Sequence, residues 1–458
     1  MAKRKKQKRK KVNFDVLEQI QPNAAGIDIG AEEIYVCVPA GRDEERVQVF
    51  STFTSDLHQL ADWLEACGIE TVAMESTGVY WVPLFDILEG RGVEVCLVNA
   101  RHLKNVTGRK SDVSDCEWLY QLHTYGLLQG SFHPSDEIRT LRALARHRDM
   151  LVRYRAAHIQ HMQKALELMN LKLTYVLSDI TGVTGMQIVR AILAGEHNPH
   201  VLAQFRNAKC KHSEEEIVKA LTGNYRREHL FELQQAVELY DIYGHQIEAV
   251  DAELEALYAE FKPPEDEGKK PTTPPKPHRQ KRRKNQANFD LSTSLYQMAG
   301  VDLTQIDGIH ALTAQTILTE VGTDMSKWPT EKHFTSWLGL CPNNQVTGGK
   351  VKGRRTKKTD NRAANALRIA AQSLARSQSA LGAFYRRIRA RHGAPKAIVA
   401  TAHKLARIIY HMLKNRDNYH DPGAAYYDEQ QRERAIKRLQ KKAARFGLRL
   451  EPLVVSSV

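Results

Sequence analysis

The 458-residue sequence predicts a mixed α/β unit at its N-terminal end, a long helical arm, and a second unit that is mainly α-helical. Three observations predict this. Between residues 24 and 135, short runs rich in β-branched residues alternate with helical patterns. From 136 to 262, apolar residues recur at spacings of three and four for many turns. A basic, proline-rich stretch at 263–290 then separates that region from another helical block at 291–415. The length agrees, because 458 residues with 42% apolar content exceed one typical core and suit two or three.

Residues 24–53 read as three strands, "AAGIDIG", "EIYVCVPAG" and "RVQVFSTF", with short polar or glycine-bearing breaks. A helix follows from Thr54 to Cys67. Leu57, Leu60, Ala61 and Leu64 share its apolar face, and Thr54 or Ser55 can cap it. Next come "ETVAMEST" as a strand, "VPLFDILEGRG" as a helix, "VEVCLVNA" as a strand, and a helix from about Ser111. The order β-β-β-α-β-α-β-α is that of a ribonuclease H-like fold. Farther on, "LVRYRAAHIQHMQKALELMNLKL" and "HLFELQQAVELYDIYGHQIEAVDAELEALYAEF" predict long paired helices, read as a coiled-coil arm over 136–262. The segment 262–286 has six prolines and no large apolar residue, the composition of a linker. A basic tail at 1–23 and a basic helical tail at 416–458 complete the chain.

Charge narrows the partners. Against 53 acidic residues stand 67 Lys and Arg, a net charge of +14, and the excess is concentrated. Eight of the first eleven residues are basic, and "KKPTTPPKPHRQKRRKNQ" (269–286) and "KVKGRRTKK" (350–358) are further runs. Such clusters suit a polyanion, because Lys and Arg contacts to phosphates release counterions; a solvated arm is the other reading of a basic tail. The cysteines at 37, 67, 96, 116, 210 and 341 are scattered without a CxxC pair. That argues against zinc and for small core residues in a reduced, intracellular protein. No apolar run of about 18 residues and no signal-peptide core occur, so a cytoplasmic protein with no membrane segment is expected.

Four acids carry the chemistry. Asp28 sits inside the first predicted strand, where a buried carboxylate is costly without partners. Glu75 ends the fourth predicted strand, in "AMESTG". Asp112 and Asp115, in "GRKSDVSDCEWL" behind Arg109 and Lys110, have i, i+3 spacing and share one helix face. In ribonuclease H-like topology these positions converge at one sheet edge, and their mutual repulsion requires cations. Oxygen-only ligands select Mg²⁺, or Mn²⁺, and a pair of such ions about 4 Å apart can clamp a phosphodiester. Singly, each acid has a plainer reading, such as Asp112 favouring a helix dipole.

The pattern "GIDIG … MESTGVYW … GRKSDVSD", followed by "LTQIDGIHALTAQTILTEVG" and "SWLGLCPNNQVTGGKVKGRRTKKTDNRAANALRIAAQSL", resembles the DEDD transposases of bacterial insertion sequences guided by a bridge RNA. The likeness covers nearly the whole chain. It implies a RuvC-like DEDD domain at 24–135, a C-terminal transposase domain at 291–415, and Asp28, Glu75, Asp112 and Asp115 as metal ligands. It further implies a recombinase that cuts and rejoins donor and target DNA, pairs a non-coding guide RNA with both, forms dimers and tetramers, and works at the bacterial nucleoid.

Within the C-terminal unit, "IDGIHALTAQTIL" (306–318) resembles one helix-hairpin-helix, whose turn and helix N-terminus can hold a phosphate; a glycine between two helices is also common in plain packing. In "PNNQVTGGKVKGRRTKK" a hydroxyl residue precedes Gly348 and Gly349, in a loop whose backbone can approach another chain. Lys350, Lys352, Arg354 and Arg355 follow, suited to phosphates. By resemblance this hydroxyl is the covalent nucleophile, a serine in the family; here it is Thr347. Its β-methyl restricts χ1 and crowds the approach to phosphorus. Thr347 is therefore a working nucleophile, a weakened one, or the mark of a chain that binds without recombining. A metal-dependent, RuvC-like junction-resolving nuclease needs the same acids and no protein nucleophile. Ser336, Ser373 and Ser377 fall in helical patterns away from the glycines, and Arg368, His403 and Lys404 are candidate nucleic-acid contacts that no motif supports individually.

Overall fold

The computed structural model of the chain describes residues 18–76, 78–99, 112–261, 273–275, 285–342, 344–353, 356 and 359–451. It divides into two compact units, Met1–His133 and Pro134–Val458.

In the first unit the strand-forming runs pair into one mixed sheet. Its strands are β1 (Ala24–Ile29), β2 (Glu33–Cys37), β3 (Val47–Ser51), β4 (Thr71–Glu75) and β5 (Glu94–Val98), in the order β3-β2-β1-β4-β5. β1, β2 and β3 are antiparallel neighbours, whereas β4 and β5 run parallel to β1. Helices α1 (Thr54–Ala66) and α2 (Trp81–Gly90) supply the crossovers. This order and sense are compatible with the ribonuclease H-like expectation. The alternation of strand side chains sorts the sheet into two faces. Ala25, Ile27, Val72 and Met74 form a buried core with Leu57, Leu60, Leu64, Leu84 and Leu88 of α1 and α2. Ala73 and Val98 face the other way, against Leu119 and Leu122 of α3 (Asp112–Thr124). One local expectation needs correcting. Thr54 and Ser55 lie inside α1, Phe53 stands at the N-cap, and the hydroxyl that meets the first turn is that of Ser51, which donates to Asp56.

The second unit is built on two long helices, α4 (Asp136–Leu168) and α9 (Arg227–Glu260), each about 50 Å long. They run antiparallel, since Arg148 meets Asp251 while Tyr154 and His158 meet Tyr243. Four short helices, α5 (Leu173–Val176), α6 (Val183–Leu193), α7 (Pro199–Ala203) and α8 (Glu214–Leu221), close over one end around Met162, Leu166, Ile188 and Leu233. The other end is fastened to the C-terminal helices. The latter are α10 (Leu291–Ala299), α11 (Ala311–Val321), α12 (Glu331–Trp337), α13 (Arg362–Ser373), α14 (Ala380–His392), α15 (Ala394–Asn415) and α16 (Gly423–Ala444). Arg146 holds the buried end of α11 through a bidentate pair with Glu320 (2.8 and 2.7 Å), and Arg142 donates to the Thr319 and Glu320 carbonyls. Residues 285–290, inside the stretch expected as linker, pack here too: Ala287 and Phe289 are buried, and Arg148 donates to the Asn285 and Gln286 carbonyls. The arm therefore meets the C-terminal helices through packed side chains. Among the described residues no helix is long and apolar enough to cross a membrane.

Candidate functional site

Register places the first two acids. β1 and β4 pair from Ala24 with Thr71 through Ile27 with Met74. Asp28 and Glu75 are the next residues on each strand, level with one another at the C-terminal edge of the sheet and one strand spacing, roughly 4.8 Å, apart. Because Ile27 and Met74 point into the core beneath α1 and α2, Asp28 and Glu75 emerge on the opposite face, which α3 covers.

The direction of α3 places the other two. Its last residues stand at the strand entrances: the amides of Ile20 and Gln21 donate to the Thr124 carbonyl (2.9 and 3.0 Å), and His123 Nε2 lies 2.9 Å from Thr71 Oγ1. The helix thus runs antiparallel to β1 and β4, and its first turn, with Asp112 and Asp115, lies at the strand exits beside Asp28 and Glu75. Gly26 makes the approach possible. A Cβ there would overlap the Cys116 carbonyl and the Tyr120 amide, so α3 rests directly on the β1 backbone. A glycine inside a strand is the one sequence signal that could have announced this contact. Burial above all, then the neighbouring Cys37, Glu117 and Asp28, pushes the Cys116 thiol up to about 12. Asp28 is therefore within electrostatic reach of the turn that carries Asp115.

Asp28, Glu75 and Asp115 are each partly buried. The structure brings them to one edge without assembling a ready ligand set: among the described residues, no group of three or more His, Cys, Asp or Glu side chains could hold a metal ion together. The Asp112 side chain lies outside the described residues, as do Arg109 and Lys110. The donor chemistry, carboxylate oxygen throughout, is that of Mg²⁺ or Mn²⁺ and not of zinc.

In the second unit the expected glycine loop is a β-hairpin. β6 (Gln345–Thr347) and β7 (Lys350–Gly353) are antiparallel, with Thr347 opposite Lys350. Gly348 and Gly349 have φ of 55° and 73°, the two left-handed positions of a type I′ turn. Among the described residues a Cβ on either would meet nothing within 4 Å, so these glycines answer to the turn itself. Thr347 is exposed at the hairpin tip. The side chains of Lys350 and Lys352, and all of Arg354 and Arg355, lie outside the described residues.

Ser377, Ser373, Gly308 and Arg368 are engaged within the second unit. Ser377, expected within a helix, instead follows a 3-10 turn (Leu374–Arg376) in extended backbone, and its hydroxyl donates to Asp307 Oδ2 at 2.6 Å. Ser373 ends α13 and donates to the Ala370 carbonyl at 2.8 Å; Ser336 lies on α12. In the hairpin between α10 and α11, Gly308 has φ of 87°, and a Cβ there would meet the Ala370 carbonyl at 2.8 Å. That glycine packs the turn against α13, so the structure gives it the plainer of its two roles. Arg368 donates to Asn365 one turn away on α13 (2.7 Å).

Comparison with known families agrees with this geometry. A model for DEDD transposases of the IS110 type matches residues 25–171, which include the whole sheet and α3. A second, described as the transposase IS116/IS110/IS902 family, matches residues 300–386, which include α11, the Thr347 hairpin and α13. No curated protein matches the chain. With both family regions present in that order, the chain belongs to the IS110-type transposases.

Proposed function

We propose that this transposase is an RNA-guided recombinase in which the four acids hold divalent cations and Thr347 attacks DNA. The observation that carries the reading is the level placement of Asp28 and Glu75 at adjacent strand exits, under the helix that begins with Asp112 and Asp115. These carboxylates would hold Mg²⁺, or Mn²⁺, which when bound neutralises the acids and polarises a phosphate oxygen. Thr347 is exposed at the hairpin tip, where a Cβ added to Gly348 or Gly349 would meet nothing within 4 Å among the described residues. Its Oγ1 forms a bond to phosphorus as the bond to one flanking deoxyribose oxygen breaks; the hydroxyl proton passes to solvent, and the departing oxygen takes one up. Reversal by the hydroxyl of another strand rejoins the DNA and frees Thr347. In this reading the guide RNA pairs with donor and target, the basic tails hold nucleic acid, and the long helical pair is the coiled-coil arm through which copies assemble as dimers and tetramers at the nucleoid.

The test is covalent trapping with element-end DNA, guide RNA and Mg²⁺, followed by denaturation. Wild-type chain should give a protein–DNA adduct, and Thr347→Ala and Asp28→Ala should give none. Thr347→Ser, freed of the β-methyl, should form it faster by roughly tenfold, about 1.4 kcal/mol of barrier. The threonine itself favours a second reading, in which the acids hydrolyse junction DNA without a protein nucleophile. DNA cleavage that survives Thr347→Ala establishes that reading. Unaltered binding, with no cleavage or adduct in any form of the chain, would instead mark a relative that binds nucleic acid without cutting it.

A further inference from the structure

Largely beyond residue 386, where the second family match ends, helices α14, α15 and α16 line a cleft of about 540 Å³. Its charge is out of balance. Lys404 of α15 and Arg434 of α16 line it, and Arg387 of α14 stands beside Lys404. Among the described residues none of these three cations is ion-paired. Two carboxylates line the cleft: Glu331 is taken by Arg407 and His411 (both 2.6 Å), and Asp417 is ion-paired with neither Lys404 nor Arg434; Asp421, which accepts from the Ala380 amide (3.0 Å), is a further acid near Lys404. Burial, then repulsion from Arg387, Arg407 and Arg434, pulls the Lys404 ammonium below its ordinary range, with Asp421 offsetting part of the shift.

Aromatic rings hold the cations in this costly arrangement. Lys404 Nζ lies 4.9 Å from the Phe384 ring centre and 5.4 Å from that of Tyr427. The Arg387 guanidinium is 5.7 Å from both, and its Nε donates to the Tyr427 hydroxyl at 2.8 Å. Ring faces attract cations but do not neutralise them, so the field in the cleft stays positive. Tyr427 and Arg434 are seven residues apart and share one face of α16. Beside them Tyr426 lines the cleft with more than half of its surface exposed, a free ring where a base can stack. Unpaired cations in excess of the neighbouring acids, next to an uncovered aromatic ring, are complementary to a nucleotide, not to an apolar or cationic ligand.

We propose that this cleft binds the backbone of a single nucleic-acid strand, with one phosphate among Lys404, Arg387 and Arg434 and a base on Tyr426. The inference rests on the transposase having nucleic-acid partners, but not on its chemistry. The test is fluorescence anisotropy of the full chain with labelled single-stranded DNA and RNA of one sequence, across a salt series. Arg434→Glu, on an exposed position that does not endanger folding, should weaken binding at least roughly fivefold and lower the log–log salt slope by about 0.7 for each phosphate lost. Lys404→Ala should do the same. Tyr426→Ala should weaken binding about tenfold while leaving the slope unchanged. Loss confined to RNA or to DNA assigns the cleft to that strand, and loss on both assigns it to the shared backbone. Wild-type affinity and slope for Arg434→Glu on both strands overturns the proposal. The adduct reading is judged by covalent trapping and this one by strand binding, so a failure of each is seen in a separate assay.

Discussion

At the residue scale the least obvious group is His123, buried at the sheet–helix contact. Its Nε2 faces Thr71 Oγ1, whose own proton goes to the Glu94 carbonyl (2.9 Å), so the ring donates from Nε2. Burial pulls its pKa down to about 4. Unfolded histidine takes up a proton below its ordinary value near 6.5, so as pH falls the unfolded state binds more protons and gains ground. The stability tied to this neutral ring is thus present above pH 6.5 and is lost progressively toward pH 4. Between pH 7 and pH 5, chemical denaturation should show the advantage of wild type over His123→Phe shrinking by about 2 kcal/mol. A difference that stays flat with pH would mean that the ring is not held neutral. Nothing in "YQLHTYG" marks His123 for this role, because its partner Thr71 is 52 positions away and meets it through tertiary packing alone. Asp28 and Glu75 were legible for the opposite reason: each interrupts an apolar strand run, which the sequence displays directly. Thr347 was legible by its glycines, yet the turn type was not, since a loop and a two-residue hairpin share the same Gly-Gly signal.

At the scale of elements, the N-terminal unit depends on how closely α3 can lie on β1. The strand alternation that makes the order β3-β2-β1-β4-β5 readable in advance also determines which face each acid takes. It does not determine the distance between helix and sheet, which Gly26 permits. Gly26→Ala should push α3 off the sheet and destabilise the unit by about 3 kcal/mol or more, because the overlap is with helix backbone that cannot rotate away. The same displacement would move Asp115 from Asp28, so Mg²⁺-dependent adduct formation should fall further than the folded fraction does. Equilibrium denaturation alongside covalent trapping separates the two losses, and a variant of wild-type stability would show that α3 does not rest on β1. In the second unit the long helices were readable from their period, whereas their attachment was not. Arg142, Arg146 and Glu320 are some 175 positions apart in sequence, and a surface reading of the arginines was equally consistent with the pattern. Gathered around the buried Glu320 carboxylate, they couple the arm to α11, and removing Glu320 would leave several guanidiniums without their partner at once.

For the whole molecule, the four acids and Thr347 fall in different compact units. The arm is packed against the C-terminal helices through Arg146, Arg148 and residues 285–290, so Thr347 belongs to a single large body with the arm. If recombination uses the acids and Thr347 together, the two sets can come from one copy of the chain or from two. Mixing variants decides between these. Asp28→Ala chains retain Thr347, and Thr347→Ala chains retain the acids, so neither alone should trap DNA. In an equal mixture, random pairing makes about half of the dimers mixed, and in each of those one site drawn from both copies is intact. Adduct should then recover to at most about a quarter of the wild-type amount if the site is shared between copies. Were each copy to build its own site, every one would lack a member and the mixture would be as inactive as its parts. Recovery that requires both guide RNA and Mg²⁺, measured at concentrations where the mixed dimers are shown to form, is the expected outcome, because a long helical pair in the same unit as the hairpin suits reaching a second copy.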